Sequence, residues 1–400
     1  MRTMKRVAAV ALSVVVLMTS GVSAKAAVTD VQPAKSSSEA VLKWAKKVGE
    51  PFDEKTYANN TVSKIKLVGN YLYVADDAKH RIMKIDKKDG TILKEQKYCD
   101  ESYIQGYVSS IGYGDGKVYV GYDNGRVQAF DENTLESLWI TDENKNAINS
   151  DFVFTNGKLY FGTTAKTADW YDNGAPFSYY VVTTSDDDKT KPDEEKTMKK
   201  VVESKTGKFY LKKGVVLGKY IVISDTAGTL TMIDTTNDKV TDTKDIGEAF
   251  SGNITYDEMT GTIYFVAGTN DLYGIKVSAD GKLKDEKKVR LYETGYSSTT
   301  PEVYNGKVYV SGSKGKAFQD KGYMAVADVS SDKYKVNYTV ELSNYSQCEP
   351  TIVKTGENSV RVYFTINDEP GGIYAIEDSK DATSATLETV YEPTGDIKNT

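Results

Sequence analysis

The chain has 400 residues, 51 of them basic and 57 acidic, and a formal net charge of -6. An acidic balance argues against nucleic acid as the main partner, because phosphate binding calls for a basic surface. Abundant Gly (32) and Tyr (29) with few Pro (8) suit an all-β chain, and repeated units that bury their faces against one another let such a length stay in one domain.

The first residues carry a targeting pattern. Arg2, Lys5 and Arg6 form a basic region, Val7 to Met18 is apolar, and Ala24-Lys25-Ala26 is an A-x-A cleavage site. About twelve apolar residues are too few for a bilayer span, which needs roughly twenty. No Cys follows the apolar run, so lipoprotein processing is not expected. Removing residues 1–26 takes away Arg2, Lys5, Arg6 and Lys25 and no acid, so -6 becomes -10. The expectation is an exported protein, secreted or at the cell surface, with a signal peptide at 1–26 and no transmembrane segment.

Residues 27–38 (AVTDVQPAKSSS) look like a flexible lead-in. Ala40 to Ala45 then forms a strand carrying Trp44, resembling the outer strand of a repeat with no first three strands before it. The repeat is clearest at Ser109 to Trp139. Val108–Tyr113, Lys117–Tyr122, Arg126–Asp131 and Leu135–Ile140 are four short strands, separated by turns at 114–116, 123–125 and 132–134. Asn124-Gly125 suggests a two-residue hairpin connection with positive φ angles. Four antiparallel strands in about forty residues make one propeller blade.

The second strand recurs as a Gly followed by an apolar and aromatic run, in Gly69–Val74, Gly116–Val120, Gly157–Phe161, Gly218–Ile223, Gly261–Phe265, Gly306–Val310 and, without the Gly, Ser359–Phe364. From Tyr73 the steps are 46, 41, 62, 42, 45 and 54 residues, which is propeller spacing. Seven blades follow: 61–98, 99–143, 144–204, 205–247, 248–291, 292–343 and 344–400. Third strands such as Arg81–Asp86, Arg126–Asp131 and Thr229–Asp234 end in an Asp suited to capping the next turn. The long third step points to a polar surface insertion at 166–200, and a smaller one lies at Lys314–Lys321. A propeller must close to protect its sheet edges. Blade 7 already has an outer strand at Ala385–Tyr391, so Trp44 calls for three further strands. The expectation is an eight-bladed ring whose last hairpin lies past Thr400, with further C-terminal anchoring sequence. In the alternative, a seven-bladed ring, residues 39–47 add to blade 7.

The pattern of residues 116–139, G-K-V-Y-V-G followed by a third strand ending in Asp and an L-W strand, resembles the PQQ-like β-propeller repeat, the quinoprotein alcohol dehydrogenase-like family. That family also includes outer-membrane assembly scaffolds. The resemblance covers roughly residues 40–391, and residues 72–90 lean toward the NHL variety. Within the family it is most similar to secreted Gram-positive surface proteins. A dehydrogenase of this family would imply a vicinal Cys pair, a calcium site and a catalytic Asp. The chain has only Cys99 and Cys348, far apart in sequence, so neither PQQ nor calcium is expected as a cofactor. The residues leave open whether the two cysteines pair.

Other chemistry is sparse. His80 is the only histidine, in a turn, which excludes a histidine-based zinc site on ligand count and leaves no oriented base for a triad. Asp186–Asp188 and Asp193–Glu195 lack the spacing of a calcium loop and lie among Lys189, Lys191 and Lys196. Asp76-Asp77 and Asp123-Asn124 read as hairpin residues. Tyr292, Tyr296, Tyr345 and Tyr391 fall at blade ends, where tyrosine can hold glycans or proteins but also simply suits a strand. No catalytic, cofactor-binding or metal-binding residue is assigned. The expected function is a non-catalytic binding or scaffold module for protein or glycan at the cell surface. A propeller enzyme acting on polysaccharide and a degenerate PQQ-dependent dehydrogenase are the alternatives. Binding is expected at the irregularities of the repeat: the 166–200 insertion, the Trp44 strand and the closing hairpin.

Overall fold

A computed structural model describes residues 39, 43–46, 48, 62–98, 111–166, 176–186, 195–250, 252–315, 321–367 and 371–392. The leader, the lead-in and Cys99 lie outside these residues. The chain folds as an all-β propeller of seven sheets, each with a four-stranded antiparallel core in chain order. The innermost strands are Lys66–Val68, Gly112–Gly114, Val153–Thr155, Val215–Leu217, Thr255–Asp257, Glu302–Tyr304 and Thr351–Lys354. The outermost are Ile92–Lys97, Ser137–Thr141, Lys199–Glu203, Lys239–Asp245, Leu283–Arg290, Lys335–Leu342 and Glu388–Tyr391. From blade 2 to blade 7, successive innermost strands stand beside one another. No helix of the described residues is long and apolar enough to cross a membrane.

In blades 2 to 6 the two middle strands are sandwiched between neighbouring blades, so both their faces are apolar. Lys117–Gly121, Tyr220–Ser224 and Thr262–Ala267 are buried along their whole length. Runs without polar alternation are what double-sided burial demands. Outer strands face water, and Leu283–Arg290 is charged along most of its length, which guards an exposed sheet edge against pairing with another chain.

The repeated Asp and Trp act as structural parts. Asp86, Asp131 and Asp234 accept backbone N–H groups two residues on, at 2.8, 2.8 and 2.9 Å. Trp139 packs between blades 2 and 3, with Phe152, Leu159 and Phe161. The turn at 123–125 differs from expectation. Tyr122 N–H bonds to the Arg126 carbonyl at 2.9 Å, and Gly125 has φ +83°. Asn124 is not among the residues of positive φ. The loop is therefore the three-residue kind, a turn closed by one left-handed glycine.

In blades 2, 3 and 6 the Gly-Lys-x-Tyr lead of the second strand clamps the blade to the next. Lys158 Nζ and Tyr160 Oη reach Asp238 Oδ1 of blade 4 at 2.8 and 2.7 Å. Lys307 Nζ and Tyr309 Oη reach Asp378 Oδ2 of blade 7 at 3.0 and 2.7 Å. Lys117 Nζ lies 3.7 Å from Asp186 Oδ2 of blade 3. In all three the carboxylate comes from the end of the next blade's third strand or the turn after it.

The segment 166–200 is less of an excursion than its charge suggested. It contains the third strand of blade 3, Ser178–Thr183, whose Ser178, Tyr179, Val181 and Val182 are buried. Glu195–Lys196 then runs parallel to Ile140–Thr141 as a fifth strand on blade 2. Lys196 Nζ bonds to the Thr183 carbonyl at 2.7 Å and stands 4.8 Å above the Trp139 ring. The apolar core of a strand was masked by the lysines and carboxylates that flank it. Of the smaller insertion, residues 316–320 lie outside the described residues.

Trp44 belongs to blade 1. Its Nε1 donates to the Lys87 carbonyl at 2.9 Å, and with Val48 and Val62 it covers the blade face formed by Val74, Met83 and Ile85. A Cβ on Gly90 would lie 2.6 Å from the Trp44 ring. At the matching turn of blade 5, a Cβ on Gly281 would lie 2.6 Å from the Tyr220 ring of blade 4. Trp44 therefore fills the place that an aromatic of the preceding blade fills elsewhere. Blade 7 has four strands in the order of the chain, with Glu388–Tyr391 paired to its third strand. The described part of residues 39–47 does not add to it.

Candidate functional site

All seven blades contribute to one axial cavity of about 770 Å³. That lies within the size range of small-ligand sites. Its wall is apolar and aromatic: Tyr113, Phe152, Phe154, Val215, Ile254, Tyr256, Val303 and Tyr304. Both ends are polar. Lys66, Lys213, Asn253, Thr300, Glu302 and Glu349 line the end where the chain enters the innermost strands, and Asp257, Glu258 and Asn305 the end where it leaves them.

The Lys66 end is organised by its own hydrogen bonds. Asn253 Oδ1 accepts the Lys213 backbone N–H at 3.0 Å, and its Nδ2 donates to Thr300 Oγ1 at 3.1 Å. This holds the connections into blades 4, 5 and 6 together. Lys64 Nζ donates to Asp151 Oδ2 at 3.2 Å. Burial lowers the basicity of Lys66, and repulsion from Lys213 lowers it further, with Asp151 opposing. Lys212 is lowered in the same way, by burial and then by Lys64.

Glu302 is the unusual group. Only 5% of it is exposed, and its Oε2 has no hydrogen bond. Burial, then a hydrogen bond to the adjoining Glu349 carboxyl and its charge, pushes its pKa up to about 9, with Lys213 opposing. A carboxyl taken out of water and set beside a second carboxyl keeps its proton. The cavity mouth thus presents a protonated acid on the side of blades 6 and 7. Ammonium groups crowd the side of blades 1 and 4.

The residues weighed from sequence fall elsewhere. Tyr292 stacks on Tyr323 with ring centroids 5.1 Å apart, and Tyr296 bridges to Ser313. Neither of them, nor Tyr345 or Tyr391, lines the cavity. His80 ends a short 3-10 turn at φ 49° with its ring edge toward Tyr98. Asp186 serves the blade clamp, Glu195 pairs with Arg126, and Asp187, Asp188, Asp193 and Glu194 lie outside the described residues. Among the described residues no three His, Cys, Asp or Glu side chains gather as for a metal ion. Cys348 is a free thiol whose Sγ accepts the Thr365 N–H at 3.0 Å. The cavity lies on the axis and not at the irregularities of the repeat.

Sequence comparison gives no match to a family model or to a curated protein. Solved structures do match in fold. BamB from Moraxella catarrhalis superposes with a TM-score of 0.55 at 12% identity, over 82% of this chain and 88% of that one. A europium-containing methanol dehydrogenase gives 0.52 at 12% identity, over 76% and 73%. A quinohemoprotein alcohol dehydrogenase from Comamonas testosteroni gives 0.50 at 12% identity, over 79% and 63%. The fold is that of the PQQ-like propellers. At such identity the likeness speaks for architecture alone.

Proposed function

We propose that this chain is an exported binding or scaffold module that takes a protein or glycan partner into the polar mouth of its axial cavity. The observation that carries this is the cavity itself. An aromatic wall with convergent polar groups at its mouth, one of them a buried carboxyl whose Oε2 accepts no hydrogen bond from a protein donor, is the usual form of a ligand site. The apolar run and cleavage pattern of residues 1–26 support export.

A calcium-chelated quinone fits this cavity poorly. Its mouth brings two carboxyls together, Glu302 and Glu349, one of them protonated, whereas calcium takes six to eight oxygen ligands. The same pair is the one observation that favours a polysaccharide-acting enzyme, since a raised carboxyl can serve as a general acid. Glycoside cleavage, however, needs two carboxyls on opposite sides of the scissile bond, about 5 Å or more apart. The adjoining Glu302 and Glu349 leave no room for it, and the other carboxyls of the lining, Asp257 and Glu258, stand where the chain leaves the innermost strand of blade 5.

The test is a screen of residues 27–400 on glycan and peptide arrays, followed by product analysis and a dye-coupled oxidation assay. Binding without turnover is expected. Release of reducing ends or dye reduction would overturn the reading.

A further inference from the structure

We propose that the axial cavity receives the terminal residue of a carboxylated glycan, its carboxylate on Lys66 and Lys213 and a neighbouring sugar hydroxyl on Glu302 Oε2. This rests on the reading of the cavity as a binding site and adds the chemistry of the ligand.

Three features of the mouth make the demand specific. Lys66 and Lys213 both line the cavity and repel one another. An anion placed between two such ammonium groups relieves the repulsion and restores the solvation that Lys66 has lost. Second, Glu302 is buried in the wall beside Glu349, and its Oε2 accepts no hydrogen bond from a protein donor. An unmade hydrogen bond of this kind costs free energy until a ligand supplies it. The proton that Glu302 keeps lies between it and the Glu349 carboxyl, so Oε2 is left to accept. A hydroxyl donor matches that demand. Third, the wall below the mouth offers the flat rings of Tyr113, Phe152, Phe154, Tyr256 and Tyr304, which suit the apolar face of a sugar ring. About 770 Å³ is roomy enough for more than one ring. The Asn253 amide is already committed to Lys213 and Thr300, so it holds the frame while the charged groups meet the ligand.

A peptide C-terminus also carries a carboxylate, but it offers amides and side chains where the cavity offers flat apolar rings beside a hydroxyl-like demand. The sugar is therefore favoured, and the peptide becomes an outcome of the test.

The experiment is calorimetric titration of residues 27–400 with four probes: a uronic-acid-terminated trisaccharide, its methyl ester, a tripeptide with a free C-terminus, and pyrroloquinoline quinone. The uronate is expected to bind, and the ester about 10- to 100-fold more weakly, the range for a lost charge-assisted contact. Lys213→Met should weaken the uronate by a similar factor and leave the ester unchanged. Lys213 is exposed, so this variant keeps its fold. Glu302→Leu should weaken the uronate and the ester alike. If Glu302→Leu does not fold, the Lys213→Met comparison still decides. Equal affinity for acid and ester, or preference for the tripeptide or the quinone, would overturn the inference. Binding of neutral glycans alone would overturn this inference but leave the binding-module reading intact. Absence of binding to any glycan or peptide on the arrays would overturn both.

Discussion

The Lys307–Asp378 clamp between blades 6 and 7 permits a direct measurement of what holds the ring together. The two side chains are 7% and 1% exposed. Asp378 accepts from Lys307 Nζ at 3.0 and 3.1 Å, from Tyr309 Oη at 2.7 Å and from Tyr338 Oη at 2.5 Å. In Asp378→Ala the ammonium keeps only two carbonyls, of Ser379 at 2.6 Å and Ala382 at 3.4 Å. Two buried phenols lose their acceptor. Breaking a buried pair from one side costs about 3–5 kcal/mol. The expected loss in urea unfolding is of that size, with faster amide exchange concentrated in 302–342 and 351–391. Replacing all four polar groups together (Lys307→Met, Tyr309→Phe, Tyr338→Phe, Asp378→Leu) should recover most of the loss, because an apolar set of similar volume leaves no buried group unpaired. Asp332→Ala is the control. It removes the partner of Lys287 from a fully exposed carboxylate, and no measurable change is expected. A loss below about 1 kcal/mol for Asp378→Ala, or no recovery in the apolar quartet, would refute the reasoning.

Trp44→Ala should uncover Val74, Met83 and Ile85 and cost roughly 2 kcal/mol, about half the value for a fully buried Trp. Exchange should rise in 66–97 and not in 302–342; uniform exchange would refute its role as a cap. For Glu302 the sign follows from its raised pKa. The folded state holds a proton that the unfolded state gives up, so its contribution to stability is present below the ordinary value of 4.5 and is lost as pH rises through about 9. Glu302→Gln should flatten this fall and be more stable than the wild type at pH 8–9; parallel melting profiles across pH 5–9 would contradict the assignment. Lys196→Met leaves the carbonyl of Thr183 without its ammonium and removes the charge above Trp139. A destabilisation of about 1–3 kcal/mol with a shift in Trp139 emission is expected, and unchanged emission would argue against the contact.

Much of the architecture was legible because one strand of each blade is buried on both faces. That burial imposes an unbroken apolar run, and in blades 3 and 6 the Tyr of the run is further fixed by the clamp. Tyr73, Tyr119, Tyr160, Tyr264 and Tyr309 therefore mark their blades, and the Asp caps follow from turn geometry. Segment 166–200 was not legible for the same reason inverted. Ser178–Thr183 lacks the closing Asp of the third strands at Asp86, Asp131 and Asp234, and Glu195–Lys196 finds its partner on another blade, which no local pattern announces. The cavity residues were missed because innermost strands are mostly three residues long and carry no pattern of their own.

A signal for them exists once the register is known. The residue paired across from the second-strand marker is Lys66, Gly112, Val153, Val215, Thr255, Glu302 or Thr351 in the seven blades. The marker itself is tyrosine in six blades and valine in blade 4, while its partner ranges from glycine to lysine and glutamate. The contrast has a physical cause. The marker is packed between two blades, so its shape and hydroxyl are constrained by both neighbours. Its partner belongs to the strand nearest the axis, and five of the seven, Lys66, Val153, Val215, Thr255 and Glu302, line the cavity. Gly112 is held by the Phe152 side chain, 2.9 Å from where its Cβ would lie, and Val153 also packs between blades 3 and 4. In this chain two of the seven positions carry ionisable side chains, the ammonium of Lys66 and the protonated carboxyl of Glu302. Function on this fold should be sought at that register before it is sought in the loops.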